Sequence, residues 1–193
     1  MPQKTRVAVL GLSVSADQGG FVDRGRRDPE IGRTFDLRKV ALGGVNLRGL
    51  QFLLPEVFDG QETDLVVLEI ATNAFRGRTE PKWYRTAFRN VVAFFEARDI
   101  RVAILDLPRF DIDPEADWMA DFHRQYCTRE GFPYLKVDLR ADLLRDGVHA
   151  TSEGHIQYAR ELVRLLEIAD KIDTGAGPVT VFQPGFPVFW AAN

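Results

Sequence analysis

Five short, almost uninterrupted apolar runs recur along the chain, and the segments between them carry apolar residues at helical spacing. The runs Arg6 to Leu10, Leu37 to Leu42, Asp64 to Ile70, Arg101 to Leu107 and Tyr134 to Leu139 are rich in Val, Ile and Leu. Several are too continuously apolar to leave one face in water, so they read as strands buried on both faces. Between them, Tyr84, Ala87, Phe88, Val91, Val92 and Phe95 form an amphipathic stripe that ends near Asp99. Ile156, Ala159, Leu162, Val163, Leu166 and Ala169 repeat that pattern in a last helix, and weaker helical patterns cover Asn46 to Leu54 and Pro114 to Glu130. Parallel strands need a crossover between each pair, so this alternation predicts an α/β fold: a parallel sheet of about five strands with helices on both faces.

The chain's 193 residues suit one domain with a full core. We place that domain at residues 1–172 and read 173–193 as an apolar, aromatic-rich tail. Its Phe182, Phe186, Val188, Phe189 and Trp190 need cover, from the same domain, from a subunit interface in a homo-oligomer or at an acyl pocket. With 25 Lys and Arg against 28 Asp and Glu, no overall field is available to hold a nucleic acid or an anionic bilayer. The N-terminal apolar run, Val7 to Leu12, is shorter than a secretory core of roughly 7–15 residues. No stretch approaches the roughly 20 apolar residues of a membrane helix. The expectation is a cytoplasmic protein with no membrane span. Cys127, the single cysteine, reads as core filler.

Ligands of parallel sheets bind beyond the carboxyl ends of the strands, which directs attention to the residues there. Ser13 follows the first run in VAVLGLSVS, Gly43 and Gly44 follow the second, and Asn73 follows the third in VVLEIATNAF. Asp146 and His149, in DGVHATSEGH, follow the fifth after a short connection. A serine hydroxyl attacks well only when an imidazole takes its proton, a carboxylate braces that imidazole, and fixed donors meet the oxyanion. Four strand ends thus offer a nucleophile, an amide donor, a side-chain amide and an acid–base pair.

GLSVS at 11–15, Gly44, ATNA at 71–74 and DGVH at 146–149 resemble, in order, the four blocks of the SGNH/GDSL hydrolase family. The resemblance implies a flavodoxin-like, three-layer α/β/α fold and esterase, lipase, thioesterase or carbohydrate deacetylase activity without a cofactor. It implies Ser13 as nucleophile, Asp146 and His149 as its partners, and an oxyanion hole from the Ser13 and Gly44 amides with the Asn73 side chain. Leu12 stands where the family usually has Asp, Ala71 where it has Gly, and Ala74 where it has Asp. The G-x-S-x-G elbow of the α/β-hydrolases is absent.

The reading is a serine esterase removing a small acyl group, acetyl first, from a carbohydrate or other polar ester. An O-acyltransferase with the same residues, and a non-catalytic carbohydrate-binding or assembly module, are the alternatives. Zinc at Asp146, His149, Glu153 and His155 is disfavoured, because the two histidines lack HExxH spacing. His155 reads as a surface or interlayer contact, His123 as structural, and Thr151 with Ser152 as a helix cap. The polar segment from Asp17 to Arg33 reads as a long substrate-facing loop, with Arg24 and Arg26 as candidate contacts for an anionic group or, alternatively, as a solvated surface.

Overall fold

A computed structural model of the chain describes residues 3–72, 80–110 and 118–173, and the backbone of 181–183 and 186–188. Five strands, β1 (Thr5–Gly11), β2 (Phe35–Ala41), β3 (Leu65–Glu69), β4 (Arg101–Asp106) and β5 (Tyr134–Lys136), form one sheet in the order β2-β1-β3-β4-β5. Every pairing is parallel. Each coincides with a predicted run, and β3 is buried at every position, as its unbroken apolar sequence requires.

The seven α-helices among the described residues are α1 (Ser13–Ala16), α2 (Phe21–Gly25), α3 (Ile31–Thr34), α4 (Leu47–Val57), α5 (Pro81–Glu96), α6 (Trp118–Glu130) and α7 (Ser152–Asp173). α4 packs on α5, and α5 on α6 through Tyr84, Phe88, Phe122 and His123. α2 packs on α7, which also rests on β4 and β5. The three layers follow. Proline opens α5, where a missing N–H costs nothing. The Asn46 side chain caps α4 by accepting from the Gly49 amide at 3.0 Å.

The segment from Asp17 to Arg33 corrects the expectation of a long loop. It contains α2 and α3, and Phe21 and Val22 are 0% and 1% exposed. Phe21 meets the Tyr158 ring edge-on at 5.9 Å, so α2 is the part of this segment that seals the sheet against α7. Two apolar residues amid Gly, Asp and Arg are too weak a periodic signal to mark a helix of five residues.

Thr151 caps α7 by accepting from the Gly154 amide at 3.1 Å. No helix among the described residues is long and apolar enough to cross a membrane. In the tail, Val181–Gln183 and Phe186–Val188 pair as an antiparallel hairpin. The side chains of Phe182, Phe186 and Val188, and all of Phe189 and Trp190, lie outside the described residues.

Candidate active site

The strand order reverses direction at β1, whose connections lead to β2 on one side and whose other neighbour is β3. Crevices at such a reversal are where open α/β sheets hold ligands, and Ser13 opens α1 directly there. The register pairs Gly11 with both Ala41 and Glu69, so the segments leaving β1, β2 and β3 emerge at one level. Gly44, in the β2 exit, has φ +76, a conformation that favours glycine. Asn73, in the β3 exit, lies outside the described residues.

The fourth segment folds back on itself. Leu144 bridges Ala150, the Arg145 amide donates to the His149 carbonyl at 2.7 Å, and Gly147 turns the chain at φ +78. Inside that turn Asp146 Oδ1 accepts from the Val148 and His149 amides at 3.1 and 2.7 Å. The spacing of three residues therefore returns the His149 ring to Asp146, whose Oδ2 lies 2.8 Å from Nδ1. The His149 amide, then its ring and the Val148 amide, hold the Asp146 carboxyl well below the usual carboxylate range. It is therefore anionic at neutral pH.

The other ring nitrogen, His149 Nε2, is 3.1 Å from Ser13 Oγ, across 136 residues of sequence. With Nδ1–H donating to Asp146, Nε2 is left to accept from the serine hydroxyl. Such a chain can take a proton from the hydroxyl as its oxygen attacks a carbonyl.

Glu69, at the end of β3, was legible only as part of a strand. It is fully buried beneath the nucleophile turn, accepting from Ser15 Oγ at 2.8 Å and Thr72 Oγ1 at 2.6 Å, with the Leu12 amide at 3.4 Å. Burial, opposed by these hydrogen bonds, raises its carboxyl group to about 7. A lone acid closing the apolar run VVLE was its sequence signal.

The remaining candidates separate from this centre. His155 is 6% exposed: its Nδ1 accepts from the Phe21 amide at 3.2 Å, and its Nε2 donates to Asp17 at 3.0 Å. Burial lowers its pKa, Asp17 opposing, and it is an interlayer contact rather than a surface one. His149 and His155 thus face different partners. Arg24 donates to Ser152 Oγ at 2.9 Å and lines a cavity of about 360 Å³ with Asp17, Arg145, Ser152 and His155. Neither Ser13 nor His149 lines that cavity among the described residues, and Arg26 is exposed. His123 is buried between Asp106 and Tyr84, 2.8 Å from each, in a structural network that Tyr134 joins through Asp106. Cys127 is fully buried, and burial pushes its thiol up, as suits core filler.

No protein-family model and no curated protein sequence matches the chain. Solved structures do. The psychrotrophic esterase EstA from Pseudoalteromonas sp. is 16% identical with TM-score 0.74, over 87% of this chain and 100% of that one. A catalytic mutant of Axe2, an acetylxylan esterase from Geobacillus stearothermophilus, is 15% identical with TM-score 0.67, over 86% and 96% of the two chains. A GDSL-like lipase from Bacteroides thetaiotaomicron is 17% identical with TM-score 0.66, over 86% and 89%. Strand order, layers and these likenesses together give the chain the SGNH hydrolase-like α/β fold.

Proposed function

We propose that the chain is a serine esterase that removes a small acyl group, acetyl first, from a carbohydrate or other polar ester. The observation that carries this reading is the hydrogen-bonded line from Asp146 through His149 to Ser13. An acetylxylan esterase among the structures with this fold supports the choice of acyl group and acceptor.

Ser13 Oγ attacks the ester carbonyl while His149 Nε2 takes its proton, and Asp146 stabilises the imidazolium that forms. The Ser13 and Gly44 amides, with the Asn73 side chain, meet the oxyanion. His149 returns the proton to the departing alcohol, and water then releases the acyl group by the same route reversed. The chemistry needs neither metal nor organic cofactor. In this reading Arg24, lining its cavity beside the 145–152 segment, receives an anionic group of the substrate, and the exposed Arg26 contributes at most to approach.

The test is hydrolysis of p-nitrophenyl acetate together with labelling by a fluorophosphonate probe, which reacts with an activated serine and spares an inert one. Both are expected in the wild type and lost in Ser13→Ala. Full activity in Ser13→Ala, or no labelling of the wild type, overturns the proposal. Added sugars that collect the acyl group instead of water would assign the acyltransferase alternative.

A further inference from the structure

The carboxyl group of Glu69 holds two separate segments at once. Its Oε2 accepts from Ser15 Oγ and faces the Leu12 amide, the residues on either side of Ser13. Its Oε1 accepts from Thr72 Oγ1, in the exit of β3 and directly before Asn73 in sequence. We infer that Glu69 is a positioning residue: its carboxylate clamps the nucleophile turn to the β3 exit, so that Ser13 and the donor-bearing segment keep a fixed separation. This rests on the esterase reading for its consequence and on hydrogen bonds alone for its geometry.

Three features make the clamp more than incidental burial. The Ser15 and Thr72 side chains it engages are themselves 1% and 0% exposed, so water offers them little alternative. Gly11 is shaped for the arrangement: a Cβ there would stand 1.9 Å from Ser15 Oγ and 3.1 Å from Glu69 Oε2. Arg109 also holds this exit, donating to the Thr72 carbonyl at 2.6 Å.

The donor set favours the ionised form. The Leu12 amide can only donate, whereas the Ser15 and Thr72 hydroxyls can donate or accept; the ionised carboxylate accepts from all three at once, and a protonated carboxyl keeps these contacts only if one hydroxyl turns to accept from it. Asp106 on β4 and the buried Tyr158 phenol on α7 face the group electrostatically, Asp106 resisting its ionisation. Burial acts in the same direction and more strongly, raising the group to about 7. The clamp is therefore charge-assisted, and tighter, where the carboxylate is ionised.

Two measurements on the full chain test this. Glu69→Gln, which keeps the size and one acceptor, is expected to slow p-nitrophenyl acetate hydrolysis at least tenfold, mainly in kcat, and to remove one ionisation from the acid limb of the pH profile. Wild-type kcat and profile in Glu69→Gln overturn the inference while leaving the esterase reading intact. Amide hydrogen exchange decides the geometry even in an inert protein. Glu69→Gln and the milder Ser15→Ala should each speed exchange at residues 12–16 about tenfold or more, and only Glu69→Gln should do so at 70–72. Exchange unchanged at both segments in Glu69→Gln refutes the clamp whether or not the protein hydrolyses esters.

Discussion

Glu69 makes folding stability depend on pH between 4.5 and about 7, the ordinary and folded values of its carboxyl group. Within that window the unfolded carboxyl is ionised while the folded one binds a proton, so folding takes a proton up. The contribution is fully present below 4.5 and is lost as pH rises through about 7. At 1.36 kcal/mol per pH unit the whole window is worth about 3 kcal/mol. Glutamine cannot titrate, so Glu69→Gln lacks this slope and differs from the wild type by a pH-dependent amount on top of a constant offset. Urea unfolding followed by tryptophan fluorescence and circular dichroism, at intervals from pH 4.5 to 8, gives both curves. His155, lowered by burial, acts with the opposite sign, costing stability as pH falls below its ordinary value, and cancels in the comparison. The lowered carboxylates Asp23, Asp64 and Asp146 lose their contributions below that window. The Glu69→Gln protein should gain on the wild type by about 3 kcal/mol across the range. Parallel curves would refute the burial argument.

Asp146→Asn keeps an oxygen for the Val148 and His149 amides but removes the charge that steadies His149; ester hydrolysis should fall about 100-fold or more with little change in melting temperature. Wild-type rates would detach Asp146 from the mechanism. Gly154→Ala would set a Cβ 2.6 Å from the Leu143 carbonyl and 3.1 Å from Ala150 Cβ, levering α7 off the turn that carries His149. Urea unfolding should show a loss of about 1–3 kcal/mol despite the better helix propensity of alanine, and equal stability would contradict the packing. His123→Phe leaves the Tyr84 hydroxyl and one Asp106 oxygen buried without this partner, and thermal unfolding should report a cost of about 2–5 kcal/mol.

The strands were readable because two-sided burial leaves an unmistakable mark: Val66, Val67 and Leu68 are all 0% exposed and sit in one apolar run. The long helices were readable through their stripes, and Tyr84, Ala87, Phe88, Val91, Val92 and Phe95 are all buried as the spacing requires. Strand ends then indicated where Ser13 and His149 must converge, and their 3.1 Å separation follows from topology that local sequence could not have supplied alone. What stayed hidden has equally physical causes. α1 and α2 are too short for a period to register, and α2 owes its burial to Tyr158 and His155 on a helix more than a hundred residues away. Glu69 looked like the polar margin of a strand, because nothing local to VVLE reveals that Ser15 and Leu12 come to rest above it.

Leu12 belongs to the same story. The family pattern has an acid at this place, whereas here the side chain is 0% exposed and the turn's donors meet a carboxylate from β3 instead. A second acid at position 12 would be buried beside the first, and two carboxylates in one dry volume resist ionising together. With an apolar residue at 12, Glu69 ionises against burial and Asp106. The cost falls on stability, since the charged form that accepts all three donors is the form burial disfavours. Protein stability and the grip on Ser13 therefore change in opposite directions across the same titration: the fold is firmest where Glu69 is protonated, and the nucleophile turn is best held where it is not.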